Sequence, residues 1–191
     1  MTQHIYIFDS PDGTGKTEIA KELSRRICVP YFKMNSEHQN WRDRTFKEAL
    51  RFDQTYLSQF LKQTRYSAII DRAFPAEWVY SKVFNRETDD RVLLAVDKEF
   101  ADMNATIIIP LRRSYKNSRP DEVVPEDRLQ EIHDMYLKFC EWTRCSTIQV
   151  FVDDFDNNLN EEINSIYRGL DLIESCRTLH NSQGDFVMEK Q

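Results

Sequence analysis

The residues best placed to do chemistry lie together near the start of the chain, in Phe8-Asp9-Ser10-Pro11-Asp12-Gly13-Thr14-Gly15-Lys16-Thr17. An apolar, β-prone run, Ile5-Tyr6-Ile7-Phe8, leads into this stretch, and a helix-like run from Glu18 to Ile27 follows it. A strand, a tight loop and a helix start form the setting in which a glycine-rich loop holds phosphate. Gly13 and Gly15 let the backbone turn its N–H groups toward an anion. The first helical turn adds unpaired N–H groups and the positive end of the helix dipole. Lys16 can reach the β- and γ-phosphates of a nucleotide, and the Thr17 hydroxyl can ligate Mg²⁺. Ser10 stands where the usual pattern G-x-x-x-x-G-K-[ST] has its first glycine, and Thr14 fills the position between the two glycines that remain. A turn-rich loop before an ordinary helix is the alternative, and the preceding strand argues against it.

A second constellation closes the apolar run Tyr66-Ser67-Ala68-Ile69-Ile70-Asp71-Arg72. Charges at the end of a core strand are costly without partners. Phosphoryl transfer supplies a reason for them: Asp71 can hold Mg²⁺ or its waters, and Arg72 can neutralise a transferring or accepting phosphate. A structural ion pair is the other reading. Further on, Arg112-Arg113-Ser114-Tyr115-Lys116-Asn117-Ser118-Arg119 offers Arg112, Arg113 and Arg119 as a phosphate clamp, because guanidinium groups match phosphate oxygens bidentately. A solvated basic loop is the alternative there. Between these motifs, the polar stretch Asn35 to Asn40 follows a short strand. Open α/β sheets place ligands at such strand ends, so Glu37 and His38 could face a substrate or could cap a solvated loop.

The first loop resembles that of thymidylate kinases, E-G-x-D-G-x-G-K-[ST], with Asp12 and Gly13 at the discriminating positions; Asp9 replaces the family Glu and Ser10 the family Gly. The Asp71-Arg72 pair matches the family's D-R motif. The resemblance implies that Asp12 contacts the 3′-hydroxyl of the acceptor nucleotide and that Tyr80 crowds the sugar 2′ position, favouring deoxyribose. It also places Glu77 where the family hydrogen-bonds the thymine ring, a substitution that leaves the base open. The family carries an F-x-x-x-R pair on the helix before the third strand. Counting back from that strand puts Arg51 at the arginine, with Lys47 in the aromatic slot and Phe46 and Phe52 beside the two positions. The stretch 112–125 falls where the family has its lid, and Phe155 to Asn158 where it holds the donor adenine, mostly through backbone.

The elements that must position these residues alternate. Strands are expected at about His4 to Asp9, Val29 to Met34, Tyr66 to Asp71, Ala105 to Leu111 and Thr147 to Val152. Helices are expected at about Lys16 to Ile27, Trp41 to Gln63, Ala76 to Asn85, Asp89 to Met103, Pro125 to Thr143 and Leu159 to Glu174, with Arg128 pointing back at the lid. This is the pattern of an α/β fold, a doubly wound five-stranded parallel sheet with right-handed crossovers. By resemblance the strand order is 2-3-1-4-5. Residues 1–174 are expected to form one kinase domain and 175–191 a polar tail, partly disordered.

Composition narrows the class. The chain has 191 residues, enough for one domain with a full core. Its net charge of −6 counts against a protein that coats duplex nucleic acid. No apolar run reaches the roughly 20 residues of a membrane helix, and the opening run reads as a core strand rather than a leader. The expected location is the cytoplasm. Cys28, Cys140, Cys145 and Cys176 form no C-x-x-C pair and are read as incidental thiols.

These residues imply an ATP- and Mg²⁺-dependent kinase acting on a deoxynucleoside monophosphate, dTMP or a relative, and the resemblance adds a homodimer. Two alternatives stay open. One is a kinase for a hydroxyl of a deoxynucleoside or of a modified base in DNA, where a carboxylate such as Glu37 would act as base; the net charge does not favour DNA. The other is a nucleotide-binding module without turnover.

Overall fold

A computed structural model of the chain describes residues 3–33, 46–113, 115, 126–152 and 155–185, with the side chains of 46–54, 126–127, 155–158 and 178–185 outside that description. Its elements run β1 (Ile5–Phe8), α1 (Lys16–Ile27), β2 (Tyr31–Lys33), α2 (Phe46–Thr64), β3 (Ala68–Asp71), α3 (Phe74–Val83), α4 (Asp90–Asp102), β4 (Thr106–Leu111), α5 (Glu126–Trp142), β5 (Ser146–Phe151) and α6 (Phe155–Asp185). The five strands pair in parallel in the order β2-β3-β1-β4-β5, as expected from the sequence.

The alternation of side chains along the strands builds a core on each face of the sheet. Ile5 and Ile7 of β1, Ile70 of β3, and Ile107 and Ile109 of β4 point to one face, where Phe74, Phe100, Tyr136 and Phe139 cover them. Phe8, Ile69 and Ile108 point to the other, where Ile19 and Leu23 of α1 and Ile163 and Ile166 of α6 cover them. Helices therefore lie on both faces, and β1 sits at the switch point, with β3 on one side and β4 on the other. The C-terminal end of β1 is where an open sheet of this kind forms its ligand crevice.

Several boundaries differ from the expected ones for local reasons. Asp89 caps α4 by accepting from the N–H groups of Arg91 and Val92, so the helix proper starts one residue later. The expected adenine loop, Phe155 to Asn158, is instead the first turn of α6, and α6 continues past Glu174 to Asp185. The segment 175–185 is thus helix rather than tail, tied down in part by Arg177, which donates to the Asn104 carbonyl at 3.0 Å and to Ser146 Oγ at 3.2 Å. The expected lid lies largely outside the described residues. Among the described residues no helix is long and apolar enough to cross a membrane. All four cysteines are free thiols.

Candidate active site

The loop after β1 takes the shape its glycines permit. Gly13 and Gly15 both have left-handed backbones, with φ 77° and 73°. Gly15 is the N-cap of α1 and offers no side-chain cap; its carbonyl accepts from the N–H groups of Glu18 and Ile19, both at 3.1 Å, and the N–H groups ahead of them open toward the loop. Ser10 is not among the positive-φ residues, which explains why a side chain is tolerated where the usual pattern has glycine. Its hydroxyl closes the loop instead: Ser10 Oγ and Thr14 Oγ1 lie 2.6 Å apart, one donating to the other, and both reach the Pro11 carbonyl, at 3.2 and 3.1 Å, where the remaining proton is donated.

Lys16 and Thr17 open α1 directly behind this loop. Lys16 is buried, and that burial, together with the nearby Arg72 charge, lowers its ammonium below the usual range, while Asp9, Asp71 and Asp12 oppose the shift. Thr17 Oγ1 donates to Asp71 Oδ2 at 2.7 Å. Asp71 ends β3 fully buried, and its other oxygen, Oδ1, has no hydrogen-bond partner. A buried carboxylate oxygen without a hydrogen-bond partner, beside a hydroxyl oxygen, has the chemistry of a ligand for a hard cation. Among the described residues no group of three or more His, Cys, Asp or Glu could hold a metal ion. The Thr17–Asp71 pair fits Mg²⁺ as a partial ligand set, since that ion takes most of its ligands from water and phosphate.

The second half of the site gathers on Asp12. Its Oδ1 is ion-paired with Arg72, and its Oδ2 accepts from the Tyr80 hydroxyl at 3.0 Å. Arg72 carries a left-handed backbone (φ 70°), a strained conformation for a non-glycine residue. Burial alone would lower Arg72, but Asp12 and Asp9 outweigh it and hold the guanidinium charged. Burial pushes the Tyr80 phenol well above its usual range, so it stays a donor.

Asp9, which the sequence marks only as a departure from the family pattern, proves central to the geometry. Its Oδ2 accepts from the N–H groups of Ala73 and Ala76, at 3.2 and 2.9 Å. Its Oδ1 accepts from the Ser10 N–H at 3.0 Å and from the Tyr136 hydroxyl at 2.7 Å. Ala73, the N-cap of α3, has no side chain able to cap, so Asp9 supplies the missing cap from β1. Burial pushes the Asp9 carboxyl upward. Four donors nevertheless fill its lone pairs and leave no place for a proton, so we assign it the carboxylate form. Asp9 fixes loop, α3 and α5 in one arrangement.

Glu77 lies one turn before Tyr80 on α3. It is buried, and neither carboxyl oxygen completes a hydrogen bond. Burial raises it to about 7, with Thr88 and Arg86 close enough to oppose the shift. At the end of β4, the Arg112 N–H donates to Tyr115 Oη at 3.4 Å, and Arg112 Nε is buried without a partner. Tyr115 is itself buried and contacts His133 Nδ1 at 3.3 Å, which anchors the lid root to α5. Arg113 is exposed beside it.

Loop, Asp71, Arg72, Glu77 and Tyr80 are thus brought to one end of the sheet. Arg119, Glu37 and His38 lie outside the described residues. Arg51 is placed on α2, but its side chain, like those of Phe46, Lys47 and Phe52, lies outside the description. Arg128 does not point back at the lid; it donates to the Val83 carbonyl at 2.6 Å and stacks 5.2 Å over the Phe84 ring. Tyr31 and Tyr136, whose hydroxyls reach Asp71 and Asp9, were not among the residues expected at the site.

No protein-family model matches the sequence, and no curated protein matches it. Solved structures do. The YorR protein of Bacillus subtilis, in complex with phosphorylated GDP, superposes with a TM-score of 0.63 at 19% identity, covering 93% of this chain and 98% of that one. Deoxyadenosine kinase from M. mycoides with bound dATP gives 0.56 at 20% identity, covering 88% and 99%. Thymidylate kinase from Candida albicans gives 0.58 at 13% identity, covering 88% and 93%. At these identities the likeness is one of fold: the chain shares the fold of the YorR protein, a deoxyadenosine kinase and a thymidylate kinase.

Proposed function

We propose that the protein is a nucleotide kinase that moves the γ-phosphoryl of ATP onto a deoxynucleoside monophosphate and releases the diphosphate. The observation that carries this reading is the convergence, at one sheet end, of a phosphate loop with a Thr17–Asp71 oxygen pair on one side and an Asp12–Arg72–Tyr80 cluster on the other. One side suits a nucleoside triphosphate and its cation, the other a sugar and an acceptor phosphate. The kinase folds it shares support the same reaction class.

Little covalent chemistry is asked of the protein in such a transfer; positioning and charge supply most of the catalysis. The loop N–H groups and the start of α1 hold the donor phosphates, and Lys16 lies against their β- and γ-oxygens. Thr17 and Asp71 would hold Mg²⁺, which would supply neutralising charge to the donor phosphates. Arg72 faces the transferred group or the acceptor phosphate, with Arg112, Arg113 and Arg119 closing from the lid to add charge and exclude water. Asp12 turns toward the acceptor sugar, and Tyr80 closes the 2′ side. Glu77, neutral below about pH 7, offers the base edge one donor and one acceptor. Glu37 and Arg51 complete the acceptor pocket in this reading, and the enzyme works in the cytoplasm.

The test is a γ-phosphoryl transfer assay with Mg-ATP and a panel of acceptors: the four deoxynucleoside 5′-monophosphates, the matching nucleosides, and DNA with plain or hydroxymethylated pyrimidines. Diphosphate formed from a monophosphate supports the proposal and names the base. Transfer only to nucleosides or DNA would replace the acceptor by a hydroxyl and require a carboxylate base. Nucleotide binding without turnover on any acceptor would reduce the protein to a binding module.

A further inference from the structure

Tyr31 lies on β2, the edge strand, in register with Ile69 of β3 and two residues short of the strand's end beside Asp71. Its ring lies on the α1 face of the sheet, with Lys21 Nζ 5.9 Å from the ring centre. Its hydroxyl reaches along the sheet and donates to Asp71 Oδ2 at 2.7 Å. Thr17 Oγ1 donates to that same oxygen, also at 2.7 Å. Both pins therefore fall on one side of the carboxylate, and Oδ1 is left buried and without a partner. An aspartate carboxylate turns in a broad, roughly two-fold well about its last torsion, so its orientation needs outside support. Thr17 cannot give that support alone, because its oxygen is itself a ligand candidate. The Tyr31 phenol is no ligand candidate itself, and among the described residues the hydrogen-bond partners of its hydroxyl are this pair, Asp71 and Thr17.

We infer that Tyr31 is a positioning residue for the metal: by holding Asp71 Oδ2 it presents Oδ1, beside Thr17 Oγ1, to Mg²⁺ bound with the nucleotide. The inference rests on the kinase reading above, since it needs a cation at Thr17 and Asp71. Groups that orient a metal ligand from behind commonly cost tenfold or more in metal affinity when removed. A phenylalanine at position 31 keeps the ring, its packing under α1 and the strand pairing, and removes only the pin.

The experiment uses the full chain and the β,γ-imido analogue of ATP, with binding followed by calorimetry. Analogue affinity is measured in EDTA, and the Mg²⁺ concentration that half-saturates its enhancement is found by titration. Tyr31→Phe is expected to raise that concentration roughly tenfold while EDTA affinity stays within about twofold of wild type, at an unchanged unfolding midpoint. In an Asp71→Asn background, adding Tyr31→Phe should change nothing further, because the residue acts through Asp71. A half-saturating concentration that stays at the wild-type value overturns the inference. So does an equal loss of affinity in EDTA, or a loss that adds in full to that of Asp71→Asn; in these cases the metal reading itself stands. If wild-type affinity is indifferent to Mg²⁺, that reading fails and the role of Tyr31 fails with it.

Discussion

Glu77 makes a prediction that needs no substrate. Its side chain is 3% exposed, and neither oxygen is hydrogen-bonded. Burial lifts its carboxyl from 4.5 to about 7, against the pull of Thr88 and Arg86. The folded protein therefore holds a proton on Glu77 over a pH range in which the unfolded chain has lost it. Where the native state binds more protons, stability falls as pH rises. The stability is fully present below about 4.5, declines through the window, and is lost above about 7. Each pH step in that window costs about 1.4 kcal/mol, so the penalty between pH 5 and pH 8 is roughly 2–3 kcal/mol. Glu77→Gln keeps the shape and cannot ionise, so it removes the penalty at pH 8 and leaves stability at pH 5 nearly as it was. Thermal unfolding of both proteins at the two pH values measures the difference. The variant's advantage should grow by about 5–10 °C from pH 5 to pH 8 for a chain of this size. An advantage that does not change with pH refutes the reasoning. Glu162 on α6 is a check on it: it is also buried with both oxygens unpartnered and is raised to about 7, by burial alone. The variant's advantage at pH 8 over pH 5 should then grow further in Glu77→Gln/Glu162→Gln.

Three further outcomes follow from the site. Arg72→Ala should lower γ-phosphoryl transfer roughly 10²–10³-fold, the usual cost of removing a charge aimed at the transition state; a turnover within about threefold of wild type removes Arg72 from the mechanism. Asp9→Asn sets an amide NH₂ against two donors, either Ala73 and Ala76 or Ser10 and Tyr136, and should cost roughly 3 kcal/mol in denaturant unfolding; a cost under about 1 kcal/mol would show that Asp9 does not organise the loop. Ser10→Ala breaks the 2.6 Å pair with Thr14 and should cost about 1 kcal/mol of stability; an unchanged unfolding midpoint would mean the pair contributes nothing net.

How far the sequence could be read follows from where each residue finds its partners. The sheet order and the loop were legible because their signals are local: apolar runs of strand length, two glycines at left-handed positions, and Lys16 and Thr17 at the start of a helix. The end of β3 was legible because Asp71 and Arg72 are charges in an apolar run, and such charges need a reason. Tyr31 and Tyr136 were not legible. A tyrosine in a strand reads as β propensity, and one on the apolar face of α5 reads as core, which by burial Tyr136 is. What makes them functional candidates is a hydroxyl whose acceptor lies 40 residues away for Tyr31 and 127 for Tyr136. Arg128 was misplaced for a similar reason, since sequence distance puts it near the lid while an aromatic ring and an open helix end draw it to α3. The extra turns of α6 had no apolar periodicity to announce them.

One absence in the sequence did carry information. The segment Ala73-Phe74-Pro75 begins a helix with proline in its first turn but has no Ser, Thr, Asp or Asn to cap it. An uncapped start buried in the core implies a distant acceptor, and the strand end that leads into the phosphate loop carries one in Asp9. Asp9 meets that need and carries a consequence for function. The same carboxylate holds the loop through Ser10, the acceptor-side helix through Ala73 and Ala76, and the lid-side helix through Tyr136. The loop, α3 and α5 are thus referenced to one fixed point. Aspartate is one methylene shorter than glutamate, and the helix it caps carries Tyr80, which donates to Asp12 at 3.0 Å. Lengthening the side chain with Asp9→Glu keeps the charge and all the acceptors. Its effect should therefore fall on the acceptor side, raising the KM for the monophosphate more than the KM for ATP. Equal rises in both would place Asp9 in service of the loop alone.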